Sequence, residues 1–131
     1  MGSYLVKLLI IGFGGFIGSV FRYLFGGYVQ KLSNSVAFPY GTLAVNLLGC
    51  FVFGFLIQLA ESRGIFTSET RAFIFIGILG GFTTFSTFSN ESVNLLRSGE
   101  SIAALLSLGA HIAFGLGAIW LGRVLAYVIW R

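Results

Sequence analysis

Charge is what this chain has least of. Charged residues fill 9% of its 131 positions, where a soluble domain carries about 25%, so a water-facing globular surface is excluded. Acid is scarce: the glutamates are Glu61, Glu69, Glu91 and Glu100, and all but Glu91 fall in loops or at the ends of apolar runs. No carboxylate pair stands ready for acid–base work. The single cysteine, Cys50, lies in an apolar run and rules out an internal disulfide. A lone histidine, His111, has no companion ligands for a metal cluster. No nucleophile has a base beside it, and no phosphate loop precedes a helix. These absences argue against an enzyme. The formal charge of +4 is small and spread along the chain, which does not suggest nucleic acid.

What is plentiful is apolar surface, 56% of the residues. A spanning helix needs roughly 20 apolar residues. Four such runs occur, from about Leu5 to Val29, Gly41 to Ala60, Ala72 to the neighbourhood of Arg97, and Ser101 to Ile129. They predict an all-α membrane protein with one four-helix transmembrane domain over residues 1–131 and no soluble domain beside it. The first run carries an arginine and lacks an evident cleavage site, so it reads as a retained helix rather than a signal peptide. The only proline, Pro39, precedes Tyr40-Gly41-Thr42; it marks the start of the second span, with Thr42 as a candidate cap. Thr67 or Ser68 is placed to cap the third.

Polar residues inside these runs need partners. Gly14, Gly18, Arg22 and Gly26 recur every four residues and share a face. The glycines let helices approach closely. Arg22, on the same stripe, is expected to face inward as a structural charge, although snorkelling to the interface would also accommodate it. Asn46 shares a face with Gly49, Cys50 and Phe53; its amide either bonds a neighbouring helix or lines an ion's path. Ser107, His111 and Gly115 share a face of the fourth span, and His111 reads as a hydrogen-bonded interior histidine rather than a proton carrier. Gln58, Arg123, Trp130 and Arg131 read as interfacial residues.

The stretch that sets the rest in order is Gly80-Gly81-Phe82-Thr83-Thr84-Phe85-Ser86-Thr87-Phe88-Ser89-Asn90-Glu91, a hydroxyl-rich run inside an apolar span. Facing lipid, each unpaired polar group would cost several kcal/mol, roughly. The run is therefore expected to face protein or a wet, ion-bearing path. Two adjacent glycines can break the helix and release backbone carbonyls. Beyond such a break, Thr84, Thr87 and Glu91 fall on one face. Conduction or transport is the remaining class. Hydroxyls, an amide and an arginine are donors suited to an anion, and phenyl edges carry partial positive charge; released carbonyls would instead suit a cation.

Alternating sides put Lys7, Arg63, Arg71, Arg123 and Arg131 on one face of the membrane and Lys31, Arg97 and Arg22 on the other. That bias is slight for a rule that depends on a clear excess. Insertion in both orientations is compatible with it. A subunit of four helices does not readily enclose a pore alone, so a dimer of oppositely oriented copies is the natural expectation.

Gly41-Thr42-Leu43-Ala44-Val45-Asn46 and Gly80-Gly81-Phe82-Thr83-Thr84-Phe85-Ser86-Thr87-Phe88-Ser89 together resemble the Fluc (CrcB) family of fluoride channels. Chain length, the four spans and the position of Arg22 agree, so the resemblance covers essentially the whole chain. It implies a dual-topology antiparallel homodimer with two pores, exporting cytoplasmic fluoride passively across a bacterial inner membrane. Phe85 and Phe88 would meet fluoride with their ring edges, and Asn46 would line the pore near its vestibule. The carbonyls of Gly80 and Thr83 from both subunits would surround a central structural sodium ion. Ser86, Thr87 and Ser107 would form a polar track, and Glu91 a vestibule carboxylate. Thr83 stands where the family often has serine, which matters little for a backbone ligand. Gly115 supplies no hydroxyl where some relatives have a polar residue.

Two rivals keep to other classes. A small multidrug-type transporter exchanges protons for cations through an acid in its first span, where this chain has Arg22 and no acid. A non-conducting assembly subunit would use its glycine faces for packing alone.

Overall fold

The computed structural model describes residues 1–131. The elements are α1 (Gly2–Ser33), α2 (Tyr40–Arg63), α3 (Ser68–Arg71), a π-helical stretch (Ala72–Ile78), α4 (Leu79–Phe82), α5 (Phe85–Arg97) and α6 (Ser101–Ile129). From α3 through α5 the chain forms one span, Ser68–Arg97, so four spans are long and apolar enough to cross a bilayer. The chain is a multi-pass, all-α membrane protein.

Helix ends follow local chemistry. Asn34 (φ 53°) and Gly64 (φ 59°) close α1 and α2 in the left-handed region, which asparagine and glycine tolerate. Thr67 caps α3 by accepting the Thr70 N–H. Thr42 does not cap α2. That helix already begins at Tyr40, after Pro39, and the Thr42 hydroxyl donates to Glu91 Oε1 across 2.7 Å. Gln30 ties α1 to α2 instead. Its Nε2 donates to the carbonyls of Ser35 (2.7 Å) and Phe38 (3.0 Å), and its Oε1 accepts from Gly41 N–H (2.9 Å).

Glycine stripes bring the helices together. A β-carbon on Gly14 would stand 2.7 Å from the Phe73 carbonyl oxygen, and one on Gly18 would collide with the Ile78 carbonyl. The stripe on α1 therefore lies directly against the π-helical stretch, while Gly26 meets Gly41 and Val45 of α2. In the π-helical stretch the turn is widened: the Leu79 N–H reaches back five residues, to the Ile74 carbonyl. α2 packs along α6 with Gly54 against the Ile119 backbone and Gly122 against the backbones of Phe51 and Phe55.

Only 22 of the 131 residues are buried, and the exposed set is rich in Leu, Phe, Ile and Trp. Hydrocarbon tolerates such a surface as readily as a protein core does. Arg123, read from sequence as an interfacial anchor, pairs with Glu61 at 2.9 Å and reaches Gln58 Oε1 at 3.2 Å. Arg63 donates to the Trp130 carbonyl, so the ends of α2 and α6 are tied together on that side.

Candidate functional site

The third span is interrupted at Thr83 (φ −80°, ψ 155°) and Thr84 (φ −149°, ψ 115°), both extended. The glycine pair, expected to be the break, is not where it falls: Gly80 and Gly81 are helical, within α4. Gly81 serves close packing instead, since a β-carbon there would stand 2.7 Å from the Gly15 carbonyl oxygen. The extended residues are two threonines, whose branching at Cβ suits that conformation.

Extended backbone at this depth survives only if its polar groups are bonded. Asn46 of α2 does this for Thr84. The Thr84 N–H donates to Asn46 Oδ1 (2.9 Å), and Asn46 Nδ2 donates to the Thr84 carbonyl (3.1 Å). Thr84 in turn caps α5: its Oγ1 accepts the Thr87 N–H at 3.2 Å. Two carbonyls are affected. In a continuous helix the Thr84 N–H would serve Gly80 and the Thr87 N–H would serve Thr83. Both donors are diverted to side chains, so the helical partners of the Gly80 and Thr83 carbonyls are taken away.

The other amide hydrogen of Asn46 points at His111 Nε2, 3.0 Å away, while His111 Nδ1 lies 2.9 Å from the Ser107 carbonyl. A carbonyl only accepts, so Nδ1 carries the proton and Nε2 accepts. The interior, hydrogen-bonded histidine read from sequence has these partners. Its ring stacks on Phe88, with centroids 3.9 Å apart. Phe85 and Phe88 meet edge-on at 5.7 Å. Phe88 is buried, while Phe85 is 78% exposed on the single subunit.

Two clefts meet at Thr84. One, of about 460 Å³, is bordered by Asn46, Gly80, Thr83, Phe85, Phe88 and His111. The other, of about 440 Å³, is bordered by Arg22, Gln30, Thr42, Thr87 and Glu91. Arg22 thus lies on a cleft, beside the glycine stripe. Glu91 Oε2 and Ser107 Oγ are enclosed without a hydrogen-bond partner in the subunit. Ser86 and Thr87 are exposed, and Thr84 Oγ1 lies 3.5 Å and 3.0 Å from their hydroxyls. Ser107 does not line the cleft with His111; it holds His111 through its carbonyl.

Sequence reasoning left out Gln30, took Thr42 for a helix cap, and placed Thr84 in the polar run without its partner Asn46. The signal for Thr42 was its position one turn before Asn46, on the same face. Nothing local marks Gln30, whose partners lie in the following loop.

The description "CrcB-like protein, Camphor Resistance (CrcB)" belongs to the family model that matches residues 9–123. A protein of Methanosarcina acetivorans named fluoride-specific ion channel FluC 1 is 45% identical over 119 residues, 91% of this chain and 89% of that protein. One of Desulforapulum autotrophicum, named fluoride-specific ion channel FluC, is 43% identical over 94% of this chain and 98% of its own length. A third, of Elusimicrobium minutum with the same name, is 42% identical over 97% and 98%. With the match spanning most of its length and all four spans, this chain belongs to the CrcB family.

Proposed function

We propose that two antiparallel copies of this chain form a passive, fluoride-selective channel that releases cytoplasmic fluoride across a bacterial inner membrane. The observation that carries the reading is the interruption at Thr83–Thr84, clamped by Asn46, with Phe85 and Phe88 on the first turn beyond it. The names of the relatives add the ion. Phe85 is 78% exposed and Ser86 and Thr87 are uncovered, so the site is half a lining that a second copy completes.

Fluoride is small and strongly hydrated, so a dry path must replace its water with donors. Phenyl edges of Phe85 and Phe88 offer partial positive charge. Hydroxyls of Ser86 and Thr87 continue the track, while Ser107, buried off that cleft, joins it through the His111 ring that its carbonyl holds. Asn46 borders the same cleft. Arg22 and Glu91 flank the vestibule side, where a fixed cation raises the local concentration of anions. Selectivity would come from a narrow, dry path that only a small anion can follow.

The donor set at the break fits a structural sodium ion. Hard cations take oxygen ligands, and the Gly80 and Thr83 carbonyls have both lost their helical donors. These carbonyls from each copy would hold the ion, which when bound supplies fixed positive charge between the two halves.

The deciding experiment is efflux from liposomes containing the full chain. Fluoride leaves and chloride stays behind. Equal chloride leakage, or no fluoride efflux, removes the reading.

A further inference from the structure

Asn46 has two amide hydrogens, and both are engaged: one by the Thr84 carbonyl, the other by His111 Nε2. The first bond belongs to the clamp on the interrupted helix. The second is made to an imidazole that borders the cleft with Phe85 and Phe88 and stacks on Phe88. An anion entering that cleft and the lone pair of His111 Nε2 therefore compete for one hydrogen.

We propose that His111 is a further residue of the ion path, one that governs how many donors the path offers. Neutral His111 occupies the free hydrogen of Asn46. Protonated His111 cannot accept it; the amide hydrogen is released to the cleft, and Nε2 gains a hydrogen of its own. One protonation thus converts an acceptor into a donor and adds a positive charge beside the anion. The Ser107 carbonyl stays bonded to Nδ1–H in either state, so the ring keeps its place. The imidazolium also lies over the Phe88 ring face, where a cation is welcome.

No other charge faces His111 closely enough to do the same. From α2 it meets Asn46 with Cys50 in the same cleft, from α5 Phe88, and from its own helix Ser107. Glu91 and Arg22 line the other cleft, beyond Thr84. His111 is also the chain's only histidine, so any histidine signal belongs to it.

The inference rests on the channel reading above, and the two are separated by measuring fluoride efflux at several pH values with protein-free vesicles subtracted. Efflux through the wild type rises roughly threefold or more as the pH falls from about 8 to about 5, a window wide enough to take in the protonation of a half-buried histidine. His111→Gln keeps an acceptor for Asn46 and does not titrate, so its efflux, whatever its absolute rate, loses the dependence on pH. A wild-type rate that ignores pH, or a His111→Gln variant with the wild-type pH ratio, overturns the inference and leaves the channel standing. Absence of fluoride efflux at every pH overturns the channel reading and this inference with it.

A second measurement needs no variant. Nitrogen NMR of ¹⁵N-histidine in the wild-type protein at high pH shows the tautomer protonated at Nδ1. Sodium fluoride, at constant pH near neutrality, converts part of that signal to imidazolium, because a proton that favours the anion must be favoured by it in return. Sodium chloride does not. Equal spectra in the two salts overturn the inference.

Discussion

Asn46 and Thr84 are joined by two hydrogen bonds, of 2.9 and 3.1 Å, so one amide side chain replaces both helical partners of an extended residue. That pairing satisfies the backbone of Thr84 where α5 begins, with Phe85 and Phe88 on the first turn of that helix.

Asn46→Leu leaves the N–H and C=O of Thr84 without partners in a low-dielectric setting. The cost is about 1–3 kcal/mol per orphaned group, though hydrogen bonds inside membranes average about 0.6 kcal/mol. Fluoride efflux is expected to fall more than roughly tenfold, an exponential reading of the larger cost. Efflux at the wild-type rate from Asn46→Leu liposomes would show that the interruption holds without its clamp.

Phe85→Ile and Phe88→Ile remove the aromatic edges while keeping apolar bulk. Both are expected to slow fluoride efflux with the dimer intact by size-exclusion chromatography. Phe88→Ile should also lower thermal stability, because Phe88 is buried under His111. If efflux is unchanged in both variants, the ring edges have no part in conduction.

Glycines on the packed stripe should be intolerant, and those elsewhere should not. Gly18→Val places a side chain into the Ile78 carbonyl, whereas Gly12 has open space around it. Gly18→Val is expected to aggregate or melt early. Gly12→Ala should melt at or slightly above the wild-type temperature, since alanine is about 1 kcal/mol better in a helix. Equal melting curves for the two would refute the close approach of α1 to the third span.

Sodium removal tests the carbonyl pair. Replacing sodium by N-methylglucamine during purification is expected to weaken the dimer and slow efflux, with recovery on returning sodium. A dimer and flux indifferent to the exchange would assign the Gly80 and Thr83 carbonyls another role.

Much of the architecture was legible along the chain. Four apolar runs, a glycine stripe on the first of them and a hydroxyl-rich run in the third follow from hydropathy and periodicity, which are local properties that add residue by residue. The helices outlast those runs: α1 extends from Gly2 to Ser33 where the apolar pattern ran from about Leu5 to Val29, because helical hydrogen bonding continues after hydrophobicity ends. Tertiary structure alone decided where the third span opens. The glycine pair was the local candidate, but a helix breaks where a neighbour supplies substitute hydrogen bonds, and Asn46 faces Thr84, not Gly80. For the same reason Thr42 went to Glu91 instead of capping its own helix. Burial drives a helix into the membrane from its own composition; the partner of a buried polar group depends on which helix stands opposite, and no single stretch of sequence carries that.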